Sequence, residues 1–79
     1  MIVYYSLFIQ ARFCSEVVER ILRVTRHRGF ELCALNTIVY NIDNNKQITL
    51  FLTVSSEKAI YLLCTQLNKL VDIQYIEVR

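Results

Sequence analysis

The residues with the most reactive chemistry here are three cysteines, Cys14, Cys33 and Cys64, and a single histidine, His27. A thiol becomes a nucleophile only when a base or a positive neighbour draws off its proton. Cys14 falls just before a predicted helix, where the helix dipole favours a thiolate. His27 falls at the opposite end of that helix and is no base for it. Cys14 therefore reads as a partly buried thiol of the cap region, and Cys33 and Cys64 as core residues. A soft metal asks for two thiolates in reach, but Cys14 is followed by Ser15-Glu16-Val17, so no metal site is expected. An odd number of widely spaced cysteines suits reduced thiols in a cytoplasmic protein. Paired carboxylates, a triad or a glycine-rich phosphate loop cannot be picked out, so no catalytic or cofactor-binding residue is assigned. The chain reads as a binding or regulatory module.

The most informative stretch runs from Ala11 to Phe30. Val18, Ile21, Leu22 and Thr25 fall at i, i+3, i+4, i+7, one stripe of a helix. Cys14 or Ser15 is expected as N-cap, Ser15 being the better acceptor. Glu16 and Glu19 suit the positive end of the dipole, and Arg26, His27 and Arg28 the negative end. Glu16–Arg20 and Glu19–Arg23 are i, i+4 pairs worth about 0.2–0.5 kcal/mol each. Gly29, the one glycine, suits a left-handed position just past the helix. Arg12, Arg26 and Arg28 are left without local partners, which makes them candidates for contact with another molecule.

Around this stretch lie four strand-like runs. Ile2 to Phe13 places Val3, Tyr5, Leu7, Ile9 and Ala11 on one face, and Tyr4, Ser6, Phe8, Gln10 and Arg12 on the other. Phe30 to Ile42 is apolar on both alternations, Leu32, Ala34, Ile38 and Tyr40 against Cys33, Leu35 and Val39. That leaves its register open and admits a bulge. Asp43-Asn44-Asn45-Lys46 is a hairpin turn signal. Gln47 to Val54 alternates cleanly. Ser55-Ser56-Glu57 signals a second helix capped by Ser56, with Ile60, Leu63, Cys64, Leu67 and Leu70 as its buried stripe. Ile73 to Val78 is a last short strand. The order β-α-β-β-α-β predicts one α+β domain over residues 1–79. It is a ferredoxin-like antiparallel sheet of order 4-1-3-2, with both helices on one face.

At 79 residues and 54% apolar, the chain carries more apolar surface than so small an interior can hide, so a partner is expected to cover some of it. Tyr4, Phe8 and Phe51 would make an aromatic patch on the open sheet face. An exposed edge strand invites pairing with a second copy. Net charge of +2 is too weak to imply nucleic acid, and the third run has one aromatic and no basic residue, unlike an RNA-stacking strand. No apolar run approaches the ~18–20 residues of a membrane span. Met1 to Ile9 lacks a basic flank and a small-residue cleavage site, so a signal peptide is not expected.

Longer motifs are more specific. Ala11-Arg12-Phe13 is followed by Glu19-Arg20-x-Leu22-Arg23-Val24-x-Arg26-His27-Arg28-Gly29-Phe30. Leu52-Thr53-Val54 and Gln66-Leu67-Asn68-Lys69-Leu70-Val71-Asp72 come after, in order and at fixed spacing. This pattern, from Ala11 to about Val78, resembles the small regulatory subunits of acetolactate synthase (acetohydroxyacid synthase) of isozyme II. The resemblance implies an ACT domain, a ferredoxin-like module that usually pairs side by side. It implies a partner, a separate large subunit that holds thiamine diphosphate, magnesium and FAD and condenses 2-oxoacids in isoleucine and valine synthesis. The small subunit would bind, stabilise and activate that subunit. Valine-sensed relatives carry an Asn/Asp-x-x-Gly loop after the first strand. Here the loop is Arg12-Phe13-Cys14-Ser15-Glu16-Val17, without glycine and with an acid, which implies insensitivity to valine. A free-standing amino-acid sensor is the alternative.

Overall fold

Ten register pairs, from Val3↔Ser56 to Arg12↔Gln47, zip two segments of the chain into the centre of an antiparallel sheet. The computed structural model describes residues 1–79. It has six elements: β1 (Val3–Arg12), α1 (Val17–His27), β2 (Glu31–Ile42), β3 (Asn45–Ser56), α2 (Ile60–Leu67) and β4 (Ile73–Val78). The sheet order is β2-β3-β1-β4, the expected arrangement.

Alternation decides what the central strands bury. Leu7, Ile9 and Ala11 of β1 face Leu52, Leu50 and Ile48 of β3 across the ladder, and all six are buried. Val17 and Ile21 of α1, Leu63 and Leu67 of α2, Phe30 and Val54 complete one core with them, which places both helices over the same sheet face. β2 and β4 contribute no fully buried residue.

The α1 stripe is turned slightly from expectation. Val17, Ile21 and Thr25 are buried, and Val18 and Leu22 are half-buried. The helix also starts later than expected. Glu16, not Cys14 or Ser15, is the N-cap, and no side chain closes that end, because Glu16 spends its carboxylate on Arg20.

The other end is a two-bond left-handed cap. Gly29 N–H donates to the Arg26 carbonyl and Phe30 N–H to the Thr25 carbonyl, with Gly29 at φ +82°. Phe30, only 2% exposed, anchors the turn in the core.

β2 contains a bulge. Leu32 pairs with Val54 but Ala34 pairs with Thr53, so Cys33 is the extra residue. Leu32 therefore points to the helix side while Ala34, Ile38 and Tyr40 point to the open side, and Leu35 and Val39 take the helix side. Cys33 is exposed, not a core residue, because the unpaired bulge position lies on an edge strand. Asp43 and Asn44, at φ 49° and 67°, form the two-residue turn from Ile42 to Asn45, the positive-φ pattern of a type I′ hairpin.

β3 runs on to Ser56, beyond the expected end at Val54. Ser56 therefore does not cap α2, which begins at Ile60 after Ala59. Its hydroxyl instead ties two turns together, donating to the Gly29 carbonyl (2.9 Å) and accepting the Lys58 N–H (3.0 Å).

Gly29→Val is expected to lower unfolding stability by at least about 1 kcal/mol, and Gly29→Asn by much less, since Asn tolerates the left-handed region. A side chain there would meet the Lys58 Nζ at 2.9 Å, but that flexible tip can move, so the cost lies in the backbone. Denaturant melts measure both. Ser56→Ala removes two hydrogen bonds at a 7% exposed position and should cost about 1 kcal/mol or more. Ser55→Ala, which loses only a 3.5 Å contact with the Cys33 thiol, should cost less in the same melts.

Candidate interaction surface

The open sheet face carries an organised aromatic cluster. Phe8 and Phe51 are register partners in β1 and β3, with ring centroids 5.3 Å apart at 56°. Tyr75 from β4 meets Phe8 edge-on at 6.1 Å. The Arg79 guanidinium lies 4.2 Å above the Phe8 ring and 5.9 Å from Phe51, a cation over two aromatic faces. Glu77 holds the cluster together, accepting from Arg79 Nε and from the Tyr75 hydroxyl, each at 2.7 Å. The Arg79 bond, then the Tyr75 bond, holds the Glu77 carboxyl below its ordinary pKa. The same carboxylate raises the Tyr75 phenol, because it accepts a hydrogen bond from the neutral form.

Tyr4, 69% exposed, lies four residues along β1 from Phe8, opposite Ser55, and makes none of these ring contacts. Tyr75 and Arg79 complete the patch in its place. Sequence reasoning missed both, although sheet order 4-1-3-2 itself puts β4 beside β1. The obstacle was a register shift: Gln10 pairs with Tyr75 and Ala11 with Ile73, which leaves Gln74 extra.

The three candidate arginines do not converge. Arg12 ends β1 at the hairpin end of the sheet, opposite Gln47, on the aromatic face. Arg26 and Arg28 end α1 at the other end, in the helix layer, where Ser56 meets Gly29. All three are exposed. Arg28 has a distant partner, donating from Nη2 to Gln66 Oε1 of α2 at 2.9 Å. The six candidates thus belong to two regions on opposite layers, the aromatic sheet face and the far end of the helix layer.

The loop from β1 to α1 is closed by its own contacts. Cys14 Sγ donates to Asp72 Oδ2 at 3.5 Å. Arg20 bridges Glu16 (2.8 Å) and Asp72 (3.4 Å). Val17 N–H donates to the Cys14 carbonyl, and Lys46 Nζ lies 4.6 Å from the centre of the Phe13 ring. Burial raises the pKa of the Cys64 thiol, which keeps it protonated. His27 is exposed at the far end of α1 from Cys14. No three His, Cys, Asp or Glu side chains gather into a metal-binding group.

Comparison with known proteins gives this geometry a family. Residues 15–76 match the model of the ACT domain. The acetolactate synthase isozyme 2 small subunit of Escherichia coli K12 is 42% identical over 74 residues, covering 94% of this chain and 83% of that protein. The Shigella flexneri protein of the same name matches to the same extent. Among solved structures, the ACT domain from GTP pyrophosphokinase of Chlorobium tepidum superposes with a TM-score of 0.79 at 12% identity, each chain covered fully. The acetolactate synthase small subunit of Thermotoga maritima superposes with a TM-score of 0.72 at 13% identity, over 96% of this chain and 47% of that one. Likenesses at such low identity carry the fold, and the sequence relatives carry the subfamily. The chain belongs to the ACT-domain family, among the acetolactate synthase isozyme 2 small subunits, and is a regulatory chain, not a catalytic one.

Proposed function

We propose that this chain binds, stabilises and activates the catalytic large subunit of acetolactate synthase, and does so without responding to valine. The observation that carries the reading is identity to the isozyme 2 small subunits across nearly the whole chain. In this reading thiamine diphosphate, magnesium and FAD belong to the large subunit, and this chain carries no cofactor. Activation requires the small subunit to bind the competent state of its partner more tightly than the incompetent one. Phe8, Phe51 and Tyr75 offer the apolar part of a contact, with Arg12 and Tyr4 at its margin. Arg26 and Arg28 offer a charged contact on the other layer.

The valine argument rests on the β1–α1 loop. An amino-acid carboxylate needs close backbone approach, for which glycine is the usual provision. Here Glu16 stands at the helix start, Val17 N–H is spent on Cys14, and the loop has no glycine. Both charge and packing oppose an amino-acid ligand.

We also propose that two copies pair along β2. Ile38 and Ile42 are 52% and 53% exposed on the open side. Leu35 and Val39 are 37% and 44% exposed even on the helix side. An edge strand apolar on both faces is a template for another strand.

Acetolactate formation by the large subunit, titrated with this chain, should rise and remain unchanged on adding valine, while the chain alone forms none. Absence of stimulation would overturn the regulatory reading; valine inhibition would overturn the loop argument alone. Calorimetric binding of an amino acid, without stimulation, would favour the free-standing sensor. Sedimentation at micromolar concentration should give a dimer that Ile38→Lys weakens; a wild-type monomer would remove the β2 pairing.

A further inference from the structure

The outer furrow between α1 and α2 is cationic on its α1 side and at the turn before α2. Two hollows of about 210 and 190 Å³ share His27, Arg28 and Gln66; Arg23 lines the first, and Lys58 and Leu62 line the second. Neither is lined by an acid. Arg23 is paired with Glu19 at 2.8 Å, whereas Arg28 and Lys58 form no ion pair. Arg26 and His27 lie beside these cations, while Glu31 and Glu57 share the adjoining hollow with Lys58, Glu57 being paired with the Met1 amine.

Serving the end of α1 accounts for Lys58 alone among these cations. The carbonyls of Val24, Thr25 and Arg26 already accept backbone N–H groups, and Lys58 Nζ reaches the Arg28 carbonyl at 3.3 Å. Arg28 donates to Gln66, and a guanidinium has five N–H groups to offer. Spare donors thus line a groove that also holds one apolar side chain in each hollow, Val24 in the first and Leu62 in the second. A lone phosphate would want several free donors aimed at one point. Here the cations come from the last turns of α1 and from Lys58 in the turn before α2, with Val24 and Leu62 among them, which suits an extended surface.

We infer that the α1–α2 furrow is the docking groove for an acidic segment of the large subunit, its carboxylates meeting Arg28 and Lys58 and its apolar side chains lying on Leu62. This rests on the regulatory reading above and adds the contact surface and the chemistry of what fills it. On the aromatic sheet face Arg79 is already paired with Glu77 and Arg12 stands alone at the hairpin end, so that face lacks the neighbouring cations of the furrow.

The test is a binding titration of the full-length chain against the large subunit at low and high salt. Arg28→Glu with Lys58→Glu should weaken binding at least about tenfold at low salt, mainly through the association rate, with the gap closing as salt rises. Lys46→Glu with Lys69→Glu makes the same change in net charge away from the furrow and should bind as wild type. Leu62→Ala should weaken binding at both salt levels. Thermal melts check that each variant folds; if the reversed pair does not, Arg28→Gln with Lys58→Gln should show a smaller loss in the same direction. Equal weakening by both charge-reversed pairs would reduce the effect to net charge and overturn the groove. Unchanged binding by the furrow pair would also overturn it. Competition by inorganic phosphate, stronger than by chloride at matched ionic strength, would assign the furrow to a small anion instead. Failure of wild type to bind would overturn the regulatory reading itself, and the docking groove with it.

Discussion

The ladder between β1 and β3 is the constraint on which the structure depends. Its helix-facing side supplies seven of the twelve residues in the core cluster, and each helix supplies only two. Two short helices cover a width of about two strands, so β2 and β4 are left as edges with half-exposed apolar side chains. Burying a Leu or Ile side chain contributes about 1.5–3 kcal/mol. A chain this short concentrates that gain on two strands and leaves the remainder of its apolar surface exposed. The exposed rings and the apolar edge are thus a by-product of size, which regulation by contact can exploit.

Most of the fold was legible because period and parity are local properties. The 3.6-residue stripe around Ile21, the alternation of Ile48, Leu50, Leu52 and Val54, and the lone glycine after His27 each point to one local geometry. Element ends were harder to read. Ser55 and Ser56 have the composition of a helix start, yet β1 reaches back to Val3 and holds both serines in the ladder. Backbone pairing with a distant strand outweighed a nearby side-chain cap. The two apolar alternations of β2 are likewise one strand that changes face at Cys33, a shift that no periodicity shows without the partner strand.

The candidate surface was legible in part. Phe8 and Phe51 were evident from alternation, but Tyr75 joins them only through a bulge at Gln74. The arginines were singled out as unpaired in sequence, a view that ignores residues brought near by folding. Gln66 lies far along the chain and still holds Arg28. Lys58 drew no attention because its neighbours in sequence are those of a helix start; only the packing of α2 on α1 sets it beside His27 and Arg28.

The tight hairpin turn also bears on the order of assembly. Ile42 pairs with Asn45 across two residues, whereas Leu7 pairs with Val78 near the opposite end of the chain. Closing the first loop sacrifices little chain entropy, and closing the second sacrifices much more. β2 and β3 can therefore find each other early, while β1 must insert between β3 and a strand made last. Until it does, the apolar side of β3 has no neighbour on its β1 edge, and the nascent domain is most exposed to wrong pairings when its hairpin is already formed. During synthesis β1, made first, stays unpaired until β3 emerges, and β4 then adds to its other edge.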